Sequence, residues 1–188
     1  MMTENYLKLT SFHLIPALLL LAEIICFVML GIRRRKNENN DKVLRVLAIV
    51  GMVISALIAA LAFVSNIGWI RVVLIFLAIP FIQAALFWVA NILSSRFLGE
   101  SKAIFILYII SCITNFAMYA FLPDGSDSGP MYAMFLAIHS DDLPVIMWFV
   151  AVWSFIINVG ACIAQIVLYA SERRKISAKT KMEPEMQN

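Results

Sequence analysis

Glu23 is the one ionisable side chain that falls well inside an apolar run of this chain, near the middle of residues 12–31, FHLIPALLLLAEIICFVMLG. A carboxylate held in hydrocarbon is costly, so a group in that place must face other helices, line a water-filled cavity or carry a proton. Depth counted from the centres of the other apolar runs brings Gln83 and Asn158 to the same level, and Asn115 shares a helical face with Ser111 and Thr114 in a further run. An amide both donates and accepts, so Glu23, Gln83 and Asn158 together could satisfy a neutral carboxylic acid. These three and Asn115 are the candidate binding residues, either as a proton or cation site or as a satisfied structural cluster.

A second group of potentially reactive side chains lies in a loop, residues 123–144, which holds four aspartates and no Lys or Arg. His139, Asp141 and Asp142, with Asp124 and Asp127, are types that ligate divalent metals. Their spacing fits no ligand motif, so a solvated acidic loop is the expectation and they are weak metal candidates only. His13 and His139, the two histidines, are too isolated in the sequence to suggest a haem pair, and no cofactor is expected. HExxH, GxSxG, P-loop and glycine-rich dinucleotide patterns are all missing, so no catalytic residue is assigned. Cys26, Cys112 and Cys162 each fall within an apolar run and are expected to act as small packing residues.

The elements that must position these groups are long and apolar. Of 188 residues, 62% are hydrophobic and 14% charged, against about 45–50% and 25% in soluble domains. The excess is gathered into runs at 12–31, 43–64, 69–93, 103–122 and 145–170, each long enough as an α-helix to cross roughly 30 Å of hydrocarbon. The first is expected to remain in the mature chain, because it is followed by Arg33-Arg34-Arg35-Lys36 and not by a small-residue cleavage site. In the second, Gly51, Ser55 and Ala59 recur every fourth residue, a strip that lets helices approach closely. It serves either a partner in the membrane or, as is commoner, a neighbouring helix of the same chain. In the third, Pro80 is expected to kink the helix, with Gln83, Phe87 and Asn91 on its polar side and Trp69 and Arg71 at an interface, the arginine snorkelling. Ser128 before Pro130 is a helix start signal, so a short surface helix is expected in the acidic loop. Residues 171–188 read as a basic tail, expected to be disordered.

Thirteen of the 15 Lys and Arg fall in the first and third connections and the tail, leaving only Lys8 and Arg71 on the other side. Basic residues favour the cytoplasmic face. The expected fold is an all-α integral membrane protein: one domain of five transmembrane helices over residues 1–170, N-terminus outside, C-terminus cytoplasmic, with one short outer surface helix, in the cell membrane. The basic residues adjoin apolar runs and act as topology signals, so no nucleic-acid partner is expected; membrane lipids are. The leading expectation for function is a non-catalytic protein that binds a partner in or at the membrane, as a complex subunit, sensor, or immunity or resistance factor. The alternatives are a small proton- or cation-coupled transporter using Glu23 with Gln83 and Asn158, and a lipid-modifying enzyme using His139, Asp141 and Asp142.

Overall fold

The computed structural model describes residues 13–35, 41–65, 68–123, 132–133, 138–139 and 144–182. Its helices are α1 (Leu14–Arg35), α2 (Asp41–Ser65), α3 (Trp69–Phe76), α4 (Ile79–Ser94), α5 (Lys102–Ala120) and α6 (Pro144–Met182), with a 3-10 turn at Ser95–Phe97. By length and composition α1, α2, α5 and α6 can each cross a membrane, whereas α3 and α4 pass the same test only together, as one span bent by 69°. The chain is an all-α membrane bundle.

Among the described residues α5 is central, packed most extensively on α6 and then on α2. The broken span leans on α6 through α4, and α1 lies outside, against α2. Only Pro16, Glu23, Cys26 and Leu30 of α1 are buried, one narrow stripe at helical spacing; Leu18, Leu21, Ile25 and Val28 face outward. At its basic end α1 is tied down by Arg34, whose Nε donates to the Leu98 carbonyl at 3.1 Å and whose guanidinium lies 5.0 Å from the Phe105 ring centre. The turn beneath it starts α5 with Ser101 as N-cap, its hydroxyl accepting from the Ile104 N–H.

Pro80 does more than kink the third span. Its ring excludes a helical carbonyl four residues back and disfavours the α-conformation in the residue before it, and the helix stops at Phe76. Ala78 then takes φ 56° and ψ 12°, a left-handed conformation that costs a non-glycine residue about 1–2 kcal/mol. Two carbonyls of the last turn of α3 are bonded at the break: Leu77 N–H donates to the Val73 carbonyl and Ala78 N–H to that of Ile75.

The bend also changes the role expected of Arg71. Instead of snorkelling outward it is fully buried, because α3 folds over the end of α5 and lays the guanidinium on carbonyls that have no helical partner. Nη2 donates to the Tyr119 and Leu122 carbonyls, both at 2.9 Å, a cation at the negative end of a helix dipole.

Two further expectations are corrected. In the acidic loop, the described residues form no surface helix: Tyr132–Ala133 pairs antiparallel with Ile138–His139, while Ser128 and Pro130 lie outside the described residues. The tail is not disordered from residue 171, since α6 continues to Met182. A 39-residue helix rises roughly 58 Å, about twice the hydrocarbon thickness, so the basic segment Arg173-Arg174-Lys175 prolongs the last span as a projecting helix.

Candidate functional site

The buried side chains form layers along the bundle. Toward the basic end, Leu30, Leu44, Met52, Phe87, Ile104 and Tyr108 belong to one apolar cluster. Toward the far end, Ile58, Ala62, Met118 and Tyr119 belong to another. Between them lies a polar layer to which α2, α4, α5 and α6 each contribute one residue: Ser55, Gln83, Asn115 and Asn158, all buried.

Gln83 is its hub. Its Nε2 donates to Asn115 Oδ1 at 3.0 Å and to Asn158 Oδ1 at 2.9 Å, and its Oε1 accepts from the Tyr119 hydroxyl at 3.1 Å. Asn158 Nδ2 donates to the Ser111 carbonyl at 2.7 Å and to Thr114 Oγ1 at 3.2 Å, while Asn115 Nδ2 reaches the Ser55 carbonyl and hydroxyl. The Ser55 hydroxyl itself donates to the Cys112 carbonyl at 2.8 Å. The ladder continues toward the basic end through Ser111 to Asn91 and Ser94 to Gln165. Both N–H groups of Gln83 and of Asn158 are thus spent on neighbours, and the layer works first as glue between helices that in lipid have little apolar driving force to associate.

That accounts for three of the four candidate residues, and it separates the fourth. Glu23 is 2% exposed at the same depth, but α1 stands outside the ring and its carboxyl hydrogen-bonds to neither Gln83 nor Asn158. It faces the Ser55 hydroxyl, with Tyr108, Cys26 and Cys112 as the other polar or ionisable neighbours. Its Oε1 has no hydrogen-bond partner. The cluster of Glu23, Gln83 and Asn158 is therefore corrected to Gln83, Asn115 and Asn158, with Ser55 standing between them and Glu23.

The strip Gly51/Ser55/Ala59 is buried inside the chain, with Gly51 and Ser55 facing α5. Gly51 is where backbone approach matters most: a Cβ there would lie 2.7 Å from the Tyr108 hydroxyl, which donates to the Ala48 carbonyl at 2.6 Å. All three cysteines are free and buried. Asp124, Asp127, Asp141 and Asp142 lie outside the described residues, and of His139 only the backbone pairing is described; among the described residues no group of three or more His, Cys, Asp or Glu could hold a metal ion.

The feature that sequence reasoning missed is a cavity. Because α4 leans on α6, it stands off from α2, and a groove of about 540 Å³ opens between them, walled by Ala56, Leu57, Ala60, Phe81 and Trp88 and floored by Gln83, Asn115 and Tyr119. Leu57, Val64, Phe81 and Trp88 on its rim are exposed. A smaller cavity of about 200 Å³ lies between α3, α5 and α6, and Pro80 and Tyr119 line both. The alanines at 56, 60 and 84 carried a signal, since small residues outside the packed strip leave room, but the sequence does not tell which helix stands off.

The fold defines the class, a multi-pass helical membrane protein whose helices are pinned by a buried amide layer. The chain matches no known protein-family profile, no curated protein and no solved structure.

Replacing Gln83 by Leu tests the glue directly. It removes three interhelical bonds, each worth about 0.6 kcal/mol on average in a membrane protein, and should lower stability by about 2 kcal/mol; adding Asn158→Leu should cost less than the sum of the two single changes. Thermal unfolding in mild detergent measures it. An unshifted melting temperature for Gln83→Leu would show the layer to be dispensable.

Proposed function

We propose that this chain is a non-catalytic multi-pass protein of the cell membrane that acts by binding a partner within the bilayer. The observation that carries the reading is the groove between α2 and the broken span. It is of a size common for ligand sites, about 300–1,000 Å³, it opens on the flank of the bundle, and the polar groups on its floor are occupied by one another and not arranged as acid, base or nucleophile. Ala60 is exposed on its wall, so Ala60→Trp should fill the groove without disturbing the core. Protein taken from its own membranes in mild detergent and weighed intact should carry a bound species that Ala60→Trp removes and that Val46→Trp, on another exposed part of α2, does not. A bound species insensitive to Ala60→Trp, or none, overturns the reading.

A second reading, a proton- or cation-coupled carrier, is favoured by the unpartnered Oε1 of Glu23. It requires Glu23 to act with Ser55 at its side, since Gln83 and Asn158 satisfy each other. Flux across vesicles that is abolished by Glu23→Gln would support it; absence of flux in the parent protein leaves partner binding alone.

The orientation proposed is N-terminus outside and C-terminus cytoplasmic, supported by the placement of 13 of the 15 Lys and Arg on one side. Membrane-impermeant thiol labelling of intact cells should modify Ser126→Cys and spare Asn39→Cys and Ser177→Cys. Labelling in the reverse pattern refutes it.

A further inference from the structure

We infer that Glu23 is a proton-binding site: its carboxyl is held neutral and its own O–H donates to the Ser55 hydroxyl, so that a proton is the ligand joining α1 to α2. The inference goes beyond both readings above and stands whether or not the chain carries ions.

Its first support is the inventory of donors. The side chains acting on Glu23 are Ser55 of α2, Tyr108 and Cys112 of α5, and Cys26 of α1 itself, and none of these is a cation. A hydroxyl has one proton to give. That of Ser55 goes to the Cys112 carbonyl at 2.8 Å, and that of Tyr108 to the Ala48 carbonyl at 2.6 Å. The two thiols remain, and S–H is a weak donor. A carboxylate in this place would be a buried charge with neither a counterion nor a strong donor, a state that a carboxyl escapes by taking up a proton.

The second support is that Ser55 has room to accept. A hydroxyl oxygen carries two lone pairs; Asn115 Nδ2 uses one at 3.3 Å, which leaves one for Glu23, within hydrogen-bonding reach. Because Ser55 donates elsewhere, the hydrogen between the two side chains must come from Glu23. The partnerless Oε1 is then the carbonyl oxygen of a neutral acid, far less costly to leave bare in an apolar site than half of a carboxylate. A metal ion fits less well. Hard cations gather about six or more oxygen ligands, whereas the hydroxyls of Ser55 and Tyr108 are already committed, and among the described residues no group of three or more His, Cys, Asp or Glu could hold one. Only four residues of α1 are buried, so the protonated Glu23 fastens this outer helix at mid-length as Arg34 fastens it at the basic end.

The test is infrared difference spectroscopy of the full chain in lipid vesicles at neutral pH, parent against Glu23→Gln. The carbonyl band of a protonated carboxyl should be present in the parent, absent from the variant, and unchanged when sodium, potassium or calcium chloride is added. Ser55→Ala should move the band to higher frequency, because the acid loses its acceptor. Ser55→Cys, whose sulfur accepts only weakly, should move it the same way and keeps the test open if the alanine variant fails to fold; Ser55→Thr should leave it in place. A parent without the band, or a band abolished by one of those salts, means that Glu23 is ionised or holds a metal ion and overturns the inference. A band that neither Ser55→Ala nor Ser55→Cys moves places the proton on another acceptor and overturns it as well.

Discussion

Gly51→Leu should be among the most destabilising single substitutions in this chain, costing about 3 kcal/mol or more. Overpacking a well-filled contact costs about 1–3 kcal/mol by itself, and here the first atom added already meets the Tyr108 hydroxyl at 2.7 Å. The ring cannot retreat cheaply: its hydroxyl is bonded to the Ala48 carbonyl and its edge packs against Phe27 of α1, with ring centres 6.4 Å apart. Moving Tyr108 therefore disturbs α1, α2 and α5 together. Gly51→Ala should also destabilise, by about 1–2 kcal/mol, although alanine is the better helix former by about 1 kcal/mol. Tyr108→Phe should partly rescue it, because with the oxygen gone the nearest atoms to the new methyl are at 3.8 and 3.9 Å, ordinary contact distances. Melting curves in detergent for the two single variants and the double would give the coupling. Parent-like stability of Gly51→Leu would mean that α2 and α5 do not meet at this point.

Glu23→Lys should fail to accumulate or should melt far below the parent, while Glu23→Gln should melt close to it. A lysine near the centre of a span costs about 2.5–3.5 kcal/mol on insertion scales. It would find Ser55, Tyr108, Cys26 and Cys112 around it and no carboxylate among the described residues to pair with. Arg33 is ten residue steps away, roughly 15 Å of helix, too far for its stem to reach the basic end. Glutamine keeps the shape of the side chain and can still bond to Ser55. The two variants together distinguish a position that tolerates only uncharged or acidic groups from one that tolerates anything. Equal melting temperatures for the lysine and glutamine variants would place residue 23 in contact with water or lipid headgroups and not against α2 and α5. If the glutamine variant is stable but a parental flux is lost, Glu23 carries protons; if nothing is lost, it is a structural acid.

The sequence by itself determined the helical class and the apolar runs, and depth counted along those runs brought Gln83 and Asn158 to one level. The bilayer makes this possible: every span must satisfy its own backbone and match one thickness, so position along a run translates into depth. Gln83 and Asn158, brought to one level by that count, are hydrogen-bonded to each other, and the structure adds Asn115 and Ser55 to the same layer. Depth is one coordinate, however, and the order of helices within the membrane plane is set by contacts between side chains far apart in the sequence, such as Gln83 with Asn158 and Tyr108 with Ala48. Only the tertiary structure decided that α1 stands outside the ring, so that Glu23 meets Ser55 and not the amides at its own level. Only it decided that the Gly51 strip is consumed within the chain and that Arg71 caps α5. The groove has the same origin: α4 could lean on α6 or on α2, and the hydrogen bonds of Gln83 to Asn158 and of Ser94 to Gln165 draw it to α6, leaving open the space beside α2.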